Sequence, residues 1–215
     1  MQRDLQNLRK SYEKSALLEA ELPDDPFELF HLWFDKAEKC NDIDEANAMN
    51  LSTIGTDGFP KTRIVLLKEI VDGNFLFYSN YTSEKARSIE NHPRVSLNFF
   101  WPALEKQVII KAEVSKVSRE KSKSYYHSRP RGSQIGAWVS DQSSEIDSRD
   151  QLMQKLKETE DRFEDQEVPL PDFWGGYSCK PHSFEFWQGR ENRLHDRILF
   201  TKDQNGSWTT KRLQP

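Results

Sequence analysis

Apolar positions recur along the chain with two periods. From residue 25 to 37 the period is helical: Phe27, Phe30, Trp33, Phe34 and Ala37 follow three- and four-residue steps. Asp25, Pro26 and Glu28 stand in the order of an N-cap, a first-turn proline and a capping-box acid. A core-facing helix is the plain use of these aromatics. From residue 47 the pattern turns to strands, predicted over 48–54, 61–70, 75–78, 94–101 and 105–117. Val71-Asp-Gly-Asn74 reads as a tight hairpin. Short helices are predicted over 84–90, capped by Thr82 or Ser83, from Ser118 to His127, and from Ser148 to about residue 164. Arg129-Pro-Arg-Gly-Ser133 reads as a loop and Val168-Pro-Leu-Pro-Asp172 as a stiff connector. Phe184-Glu-Phe starts a strand that breaks at Gly189 and resumes over 193–200. A last hairpin turns at Asp203-Gln-Asn-Gly206 before a strand over 207–213.

Residues 1–20 read as a polar, helix-prone arm with a sparse apolar stripe at Leu5, Leu8, Tyr12 and Leu17, mobile until it docks. Residues 21–215 then form a single domain. Six to eight strands with helices between the hairpins predict a mainly β fold, an antiparallel barrel with peripheral helices.

Composition narrows the function classes. Lys and Arg number 31 against 35 Asp and Glu, a net charge of -4, so no nucleic-acid footprint is expected. No apolar run is long enough to span a membrane, and Met1-Gln-Arg-Asp-Leu-Gln carries no signal-like stretch. Cys40 and Cys179 form no metal or redox motif, and a reducing, cytoplasmic setting is expected. No closely spaced histidine pair or Ser-His-acid set stands out, and neither Gly-x-Gly-x-x-Gly nor a P-loop is present. No metal is expected.

Several cationic patches carry candidate chemistry. On a strand over 193–200, Arg193, His195 and Arg197 would share one face, a row that an anion between them would relieve. A solvated edge strand is the plainer reading of the row by itself. The preceding Phe184, Phe186 and Trp187 make it the rim of a packed wall. Arg63 and Lys68 bracket an apolar strand, five residues apart and so on opposite faces unless the strand bends to bring both to one ligand; two ordinary strand-end cations are an equally good reading of the pair by itself. Ser79, Thr82, Ser83 and Lys85 surround a helix start, where capping and phosphate binding are both served. Tyr125, Arg129, Arg131 and Ser133 gather at a helix end as a second anion clamp, although the helix dipole alone favours cations there. Gln142 and Ser143 have the groups to meet a planar ligand's carbonyls, although by themselves they mark only a turn.

Longer words then align with a known family. Arg63-Ile-Val-Leu-Leu-Lys68, His127-Ser-Arg-Pro-Arg131, Ser133-Gln-Ile-Gly-Ala-Trp-Val-Ser140, Gln142-Ser-Ser144, Val168-Pro-Leu-Pro171, Phe173-Trp-Gly-Gly176, Glu185-Phe-Trp-Gln-Gly189 and Arg193-Leu-His-Asp-Arg197 resemble pyridoxamine 5′-phosphate oxidases in the family's order. The resemblance covers roughly residues 8–215. It implies an FMN-binding split β-barrel and a homodimer with two FMN molecules at the subunit interface. It implies oxidation of pyridoxamine or pyridoxine 5′-phosphate by O2 to pyridoxal 5′-phosphate with release of hydrogen peroxide. By the same resemblance Arg63, Lys68, Tyr78, Ser79, Lys85, Gln107, Gln142, Ser143, Trp187 and Arg197 are FMN contacts. Lys68, Tyr125, Arg129 and Ser133 hold the substrate phosphate. Arg193 and His195 act at the substrate ring, and Arg9 and Tyr12 belong to an N-terminal segment that closes over the site.

One position departs from the family pattern. Glu84 stands where a second cation usually precedes the lysine matching Lys85, so weaker FMN retention is expected. Arg87, one helical turn on, is a candidate substitute. Two other functions use similar patches: a flavin or pyridoxal phosphate carrier without turnover, and a split-barrel flavin reductase with a nicotinamide donor. The phosphate loop at 129–133 favours the oxidase.

Overall fold

The computed structural model describes residues 3–8 and 10–215. Along the chain these residues form α1 (Pro26–Glu38), β1 (Ala48–Ile54), β2 (Pro60–Leu66), β3 (Glu69–Val71), β4 (Asn74–Asn80), α2 (Glu84–Asn91), β5 (Arg94–Trp101), β6 (Lys106–Lys116), α3 (Arg119–Ser128), α4 (Arg131–Val139), α5 (Arg149–Arg162), β7 (Trp174–Gln188), β8 (Asp196–Lys202) and β9 (Trp208–Leu213). The strands make one sheet with the order β2-β1-β5-β6-β7-β4-β3, and β8 and β9 continue from β7. β2 and β3 stand at opposite ends of this path, yet only Leu67 and Lys68 separate them in sequence. A sheet so connected must curl back on itself.

The chain forms two compact units: 1–50 with 96–111 and 181–215, and 51–95 with 112–180. In the first, Asp25 caps α1 by accepting from the Phe27 N–H. Phe30 packs edge-on against Phe99 at 5.1 Å, and Trp33 against Phe186 at 5.3 Å. β8 pairs antiparallel with β7 and with β9. In the second unit, β4 pairs with β3 across a two-residue turn and with the start of β7. Asp72 and Gly73 both have positive φ, 50° and 68°, the conformation such a hairpin turn demands. Tyr126, Ile135, Val139, Phe163, Val168 and Trp174 form a buried cluster under α3, α4 and α5.

Four expectations need correction. The strand predicted over 61–70 is broken at Leu67 and Lys68. There the chain leaves its β1 partner, and the Lys68 N–H bonds to the Leu76 carbonyl at 2.9 Å as β3 turns to β4. The described residues of the N-terminal arm form no α-helix, only a 3₁₀ turn over Glu19–Glu21. Several backbone N–H groups are used elsewhere, Leu17 bonding to Asp196 at 3.0 Å. The strand predicted over 193–200 begins only at Asp196, because Asn192 and Arg193 adopt left-handed backbone with φ of 54° and 63°. Arg193, His195 and Arg197 therefore form no row. Finally, residues 131–133 open α4 rather than a loop, with Ser133 and Gln134 donating to the Pro130 carbonyl at 2.8 and 3.1 Å.

Candidate active site

The second unit contains a cavity of about 460 Å³. β2 lines it with Ile64, Val65 and Leu66, and the break after β2 delivers Lys68. β4 contributes Tyr78 and Ser79, and α2 contributes Lys85. Tyr125, Arg129, Ser133 and Gln142 come from α3, α4 and their flanks, and Trp174 from the start of β7.

Lys85 is the electrostatic centre of this cavity. Ser83 caps α2, so Lys85 is held one residue inside a helix N-terminus. Its Nζ bonds Ser79 Oγ at 3.1 Å, Ser83 Oγ at 3.3 Å and the side-chain carbonyl of Gln142. All three are neutral oxygens. Burial, reinforced by the Arg63 charge, pushes the Lys85 pKa down to about 8. A buried ammonium beside helix amides, with no counter-charge among these partners, matches the chemistry of a phosphate. The neighbouring Glu84 carboxylate is drawn away by Lys61 Nζ at 2.5 Å. Arg87 Nη1 bonds the Thr82 carbonyl at 2.5 Å. Arg63 is fixed to β1 through the Leu51 carbonyl at 3.0 Å and Thr53 Oγ1 at 2.8 Å, and burial lowers its pKa.

A flat aromatic wall forms another side. The Tyr78 and Tyr125 rings stack with centroids 3.8 Å apart, and Tyr78 lies nearly parallel to Trp174 at 5.6 Å. Gly176 permits this: a Cβ there would lie 2.7 Å from Tyr78 Cε1 and from Val117 Cγ2. The Arg129 guanidinium sits 4.6 Å over the Trp174 ring, and burial lowers its pKa. Its Nη1 is buried without a hydrogen-bond partner, as is the Tyr78 hydroxyl, whose pKa burial raises to about 12. Two unmet polar groups beside an aromatic wall fit a flat ligand carrying anionic oxygens. Arg131 does not join this clamp. Its guanidinium bonds the Gln166 carbonyl at 2.8 Å and the Phe163 carbonyl at 2.5 Å. Ser143 follows Gln142 in an exposed turn with φ of 74°.

The first unit gathers a second group. Trp187 on β7 lies opposite Arg197 on β8. The His195 ring is 4.7 Å from Trp187, and Tyr12 meets both rings edge-on at 5.6 and 5.8 Å. The Arg190 N–H donates to His195 Nδ1 at 3.1 Å, which places the neutral ring's proton on Nε2. Burial, then the Arg193 charge, lowers the His195 pKa and favours that neutral form. Arg193 and His195 line a cavity of about 520 Å³ with Tyr12 and Arg190. Arg197 is engaged by Glu185 at 2.9 and 2.7 Å. Gln107 lies half-buried on β6. Arg9 falls outside the described residues.

A model of the pyridoxamine 5′-phosphate oxidase family matches residues 36–163, and one of the pyridoxine 5′-phosphate oxidase C-terminal dimerisation region matches 174–215. The chain belongs to the pyridoxamine 5′-phosphate oxidase family. A pyridoxine/pyridoxamine 5′-phosphate oxidase from Christiangramia forsetii is 53% identical over 215 residues, covering 100% of both chains. One from Pseudomonas paraeruginosa is 47% identical over 216 residues with the same coverage. Among solved structures, PhzG from Burkholderia lata 383, in complex with tetrahydrophenazine-1-carboxylic acid, superposes with a TM-score of 0.85 at 26% identity, covering 93% of this chain and 98% of its own. An FMN-binding, pyridoxamine 5′-phosphate oxidase-related protein from Nostoc punctiforme gives 0.71 at 12% identity, covering 91% and 99%. The expected split β-barrel is thus the fold observed for this member of the pyridoxamine 5′-phosphate oxidase family. No helix among its described residues is long and apolar enough to cross a membrane. Trp174, which backs both Tyr78 and Arg129, was not among the predicted site residues; its signal was the two glycines that follow it.

Proposed function

We propose that this chain uses FMN to oxidise pyridoxamine and pyridoxine 5′-phosphates to pyridoxal 5′-phosphate, passing the electrons to O2 and releasing hydrogen peroxide. The observation that carries this reading is the cavity of the second unit. It combines a buried ammonium among neutral oxygens, an aromatic wall, and the unpartnered Tyr78 hydroxyl and Arg129 Nη1. Arg63, Lys68, Tyr78, Ser79, Lys85, Gln107, Gln142, Ser143, Trp187 and Arg197 are assigned to FMN. Lys68, Tyr125, Arg129 and Ser133 are assigned to the substrate phosphate, and Arg9, Tyr12, Arg193 and His195 to the rest of the substrate. The functional protein is assigned as a homodimer, a reading supported by the match of residues 174–215 to a dimerisation region, and its setting as the cytoplasm.

When bound, FMN supplies the two-electron chemistry. The chain's own residues bind, orient and exclude water. Anchoring the substrate by its phosphate and its ring leaves little freedom, and pre-paid orientation is a large source of rate. His195, with its proton on Nε2, is a hydrogen-bond donor to a polar ring substituent rather than a strong base. Arg193 contributes positive charge at the ring.

The test is direct. Purified protein is expected to be yellow and to release one peroxide per pyridoxal 5′-phosphate formed from pyridoxamine 5′-phosphate in air. Bound flavin with no peroxide would favour a carrier, and flavin bleached by NADH would favour a reductase.

A further inference from the structure

Glu105 stands immediately before β6 in left-handed backbone, with φ of 56°. It is 2% exposed. Its Oε2 accepts the backbone N–H groups of Glu13 at 2.8 Å and Lys14 at 2.9 Å. Lys10 Nζ is 3.8 Å from Oε1, and Lys14 Nζ bonds the nearby Ala103 carbonyl at 2.6 Å. The backbone carbonyl of the same residue accepts from the Gly189 N–H at 2.8 Å and from the Gln188 side chain at 3.1 Å. One residue therefore grips both the N-terminal segment and the end of β7.

Tyr12 lies between these two grips. Its ring contacts Trp187 and His195, and a Cβ on Gly189 would lie 2.7 Å from Tyr12 Cγ and 3.1 Å from Glu105 Cβ. A buried carboxylate needs strong donors, and those of Glu105 are two successive N–H groups of the segment that carries Tyr12. Docking the segment and burying this charge are therefore one event.

We propose that Glu105 is a positioning residue: it anchors residues 13 and 14 so that Tyr12 is held against Trp187 and His195 at the substrate ring. The proposal rests on the function assigned above to Tyr12 and His195. The main variant is Glu105→Gln, which keeps the side chain's shape and removes its charge. In the FMN-loaded protein, tryptic cleavage after Lys14 is expected to quicken about tenfold. KM for pyridoxamine 5′-phosphate is expected to rise about tenfold with kcat within about twofold. In a Tyr12→Ala background the same change is expected to add little to KM, because the group it positions is gone.

Unchanged cleavage overturns the proposal. So does faster cleavage with unchanged KM, or a KM effect that multiplies in full with that of Tyr12→Ala. Gly189→Ala displaces Tyr12 from the other side and keeps the proposal testable if Glu105→Gln does not fold. It is expected to quicken the same cleavage and raise the same KM, and no change in either overturns the anchor. A wild-type protein that makes no peroxide removes the assigned reaction, whereas the cleavage measurement still decides whether Glu105 holds the segment.

Discussion

Lys85 keeps an ammonium where its partners are neutral oxygens, and this has a pH signature. Its pKa of about 8 lies below the ordinary lysine value. A bound phosphate favours the charged form, so binding takes up a proton wherever the free lysine is neutral. FMN affinity is expected to change little below about pH 8 and to fall up to tenfold per pH unit above it. Fluorimetric titration of the apoprotein checks this, and a flat curve to about pH 9.5 would contradict it; Lys85→Arg should flatten the curve. For the apoprotein the sign is opposite. The unfolded lysine binds its proton more tightly, so this group's contribution to stability grows as pH rises from about 8 towards 10.5. Arg129, with one nitrogen unmet, is expected to act through binding. Arg129→Ala should raise KM by about 10- to 100-fold, whereas Arg193→Ala should chiefly lower kcat. The reverse pattern in steady-state kinetics would exchange their roles. Lys61 occupies the Glu84 carboxylate, so the penalty on FMN retention expected from sequence is partly screened. Glu84→Arg is expected to tighten FMN binding by no more than a few-fold in the same titration.

At the scale of elements, glycine decides where the aromatic wall can stand. Gly176→Ala would drive a methyl into the Tyr78 ring and Val117 at 2.7 Å. A loss of about 1–3 kcal/mol in stability is expected, with weakened FMN binding, as measured by thermal melting and titration. These glycines also show where legibility stopped. α1, β1 and β5 could be read to the residue or nearly so, because an N-cap, a first-turn proline and clean alternation mark them. The first half of β7 was missed, since Gly175, Gly176 and Pro181 are local signals against a strand. Pairing with β4 and close approach of Tyr78 and Tyr81 override them. α4 was hidden in the same way by Pro130, Gly132 and Gly136, although Ile135 and Val139 carry a helical spacing. The supposed row of Arg193, His195 and Arg197 failed because periodicity does not reveal positive φ at Asn192 and Arg193. The cations of the cavity were legible as residue types within family words. That Arg129 would be unmet while Arg131 is tied to backbone carbonyls depends on long-range contacts that spacing does not encode.

For the whole molecule, residues 174–215 match a dimerisation region and include β7, β8 and β9. Sedimentation is expected to show a homodimer at micromolar concentration, and a monomer that still binds FMN would overturn that assignment. The strand order has another consequence. Leu67 and Lys68 alone join the two ends of the sheet's path, and Lys68 also lines the cavity. Cutting the backbone at this link would free both borders of the sheet and unseat a cation of the pocket. The same surgery at the Asp203–Gly206 tip would spare the pocket, so an inserted reporter peptide belongs there.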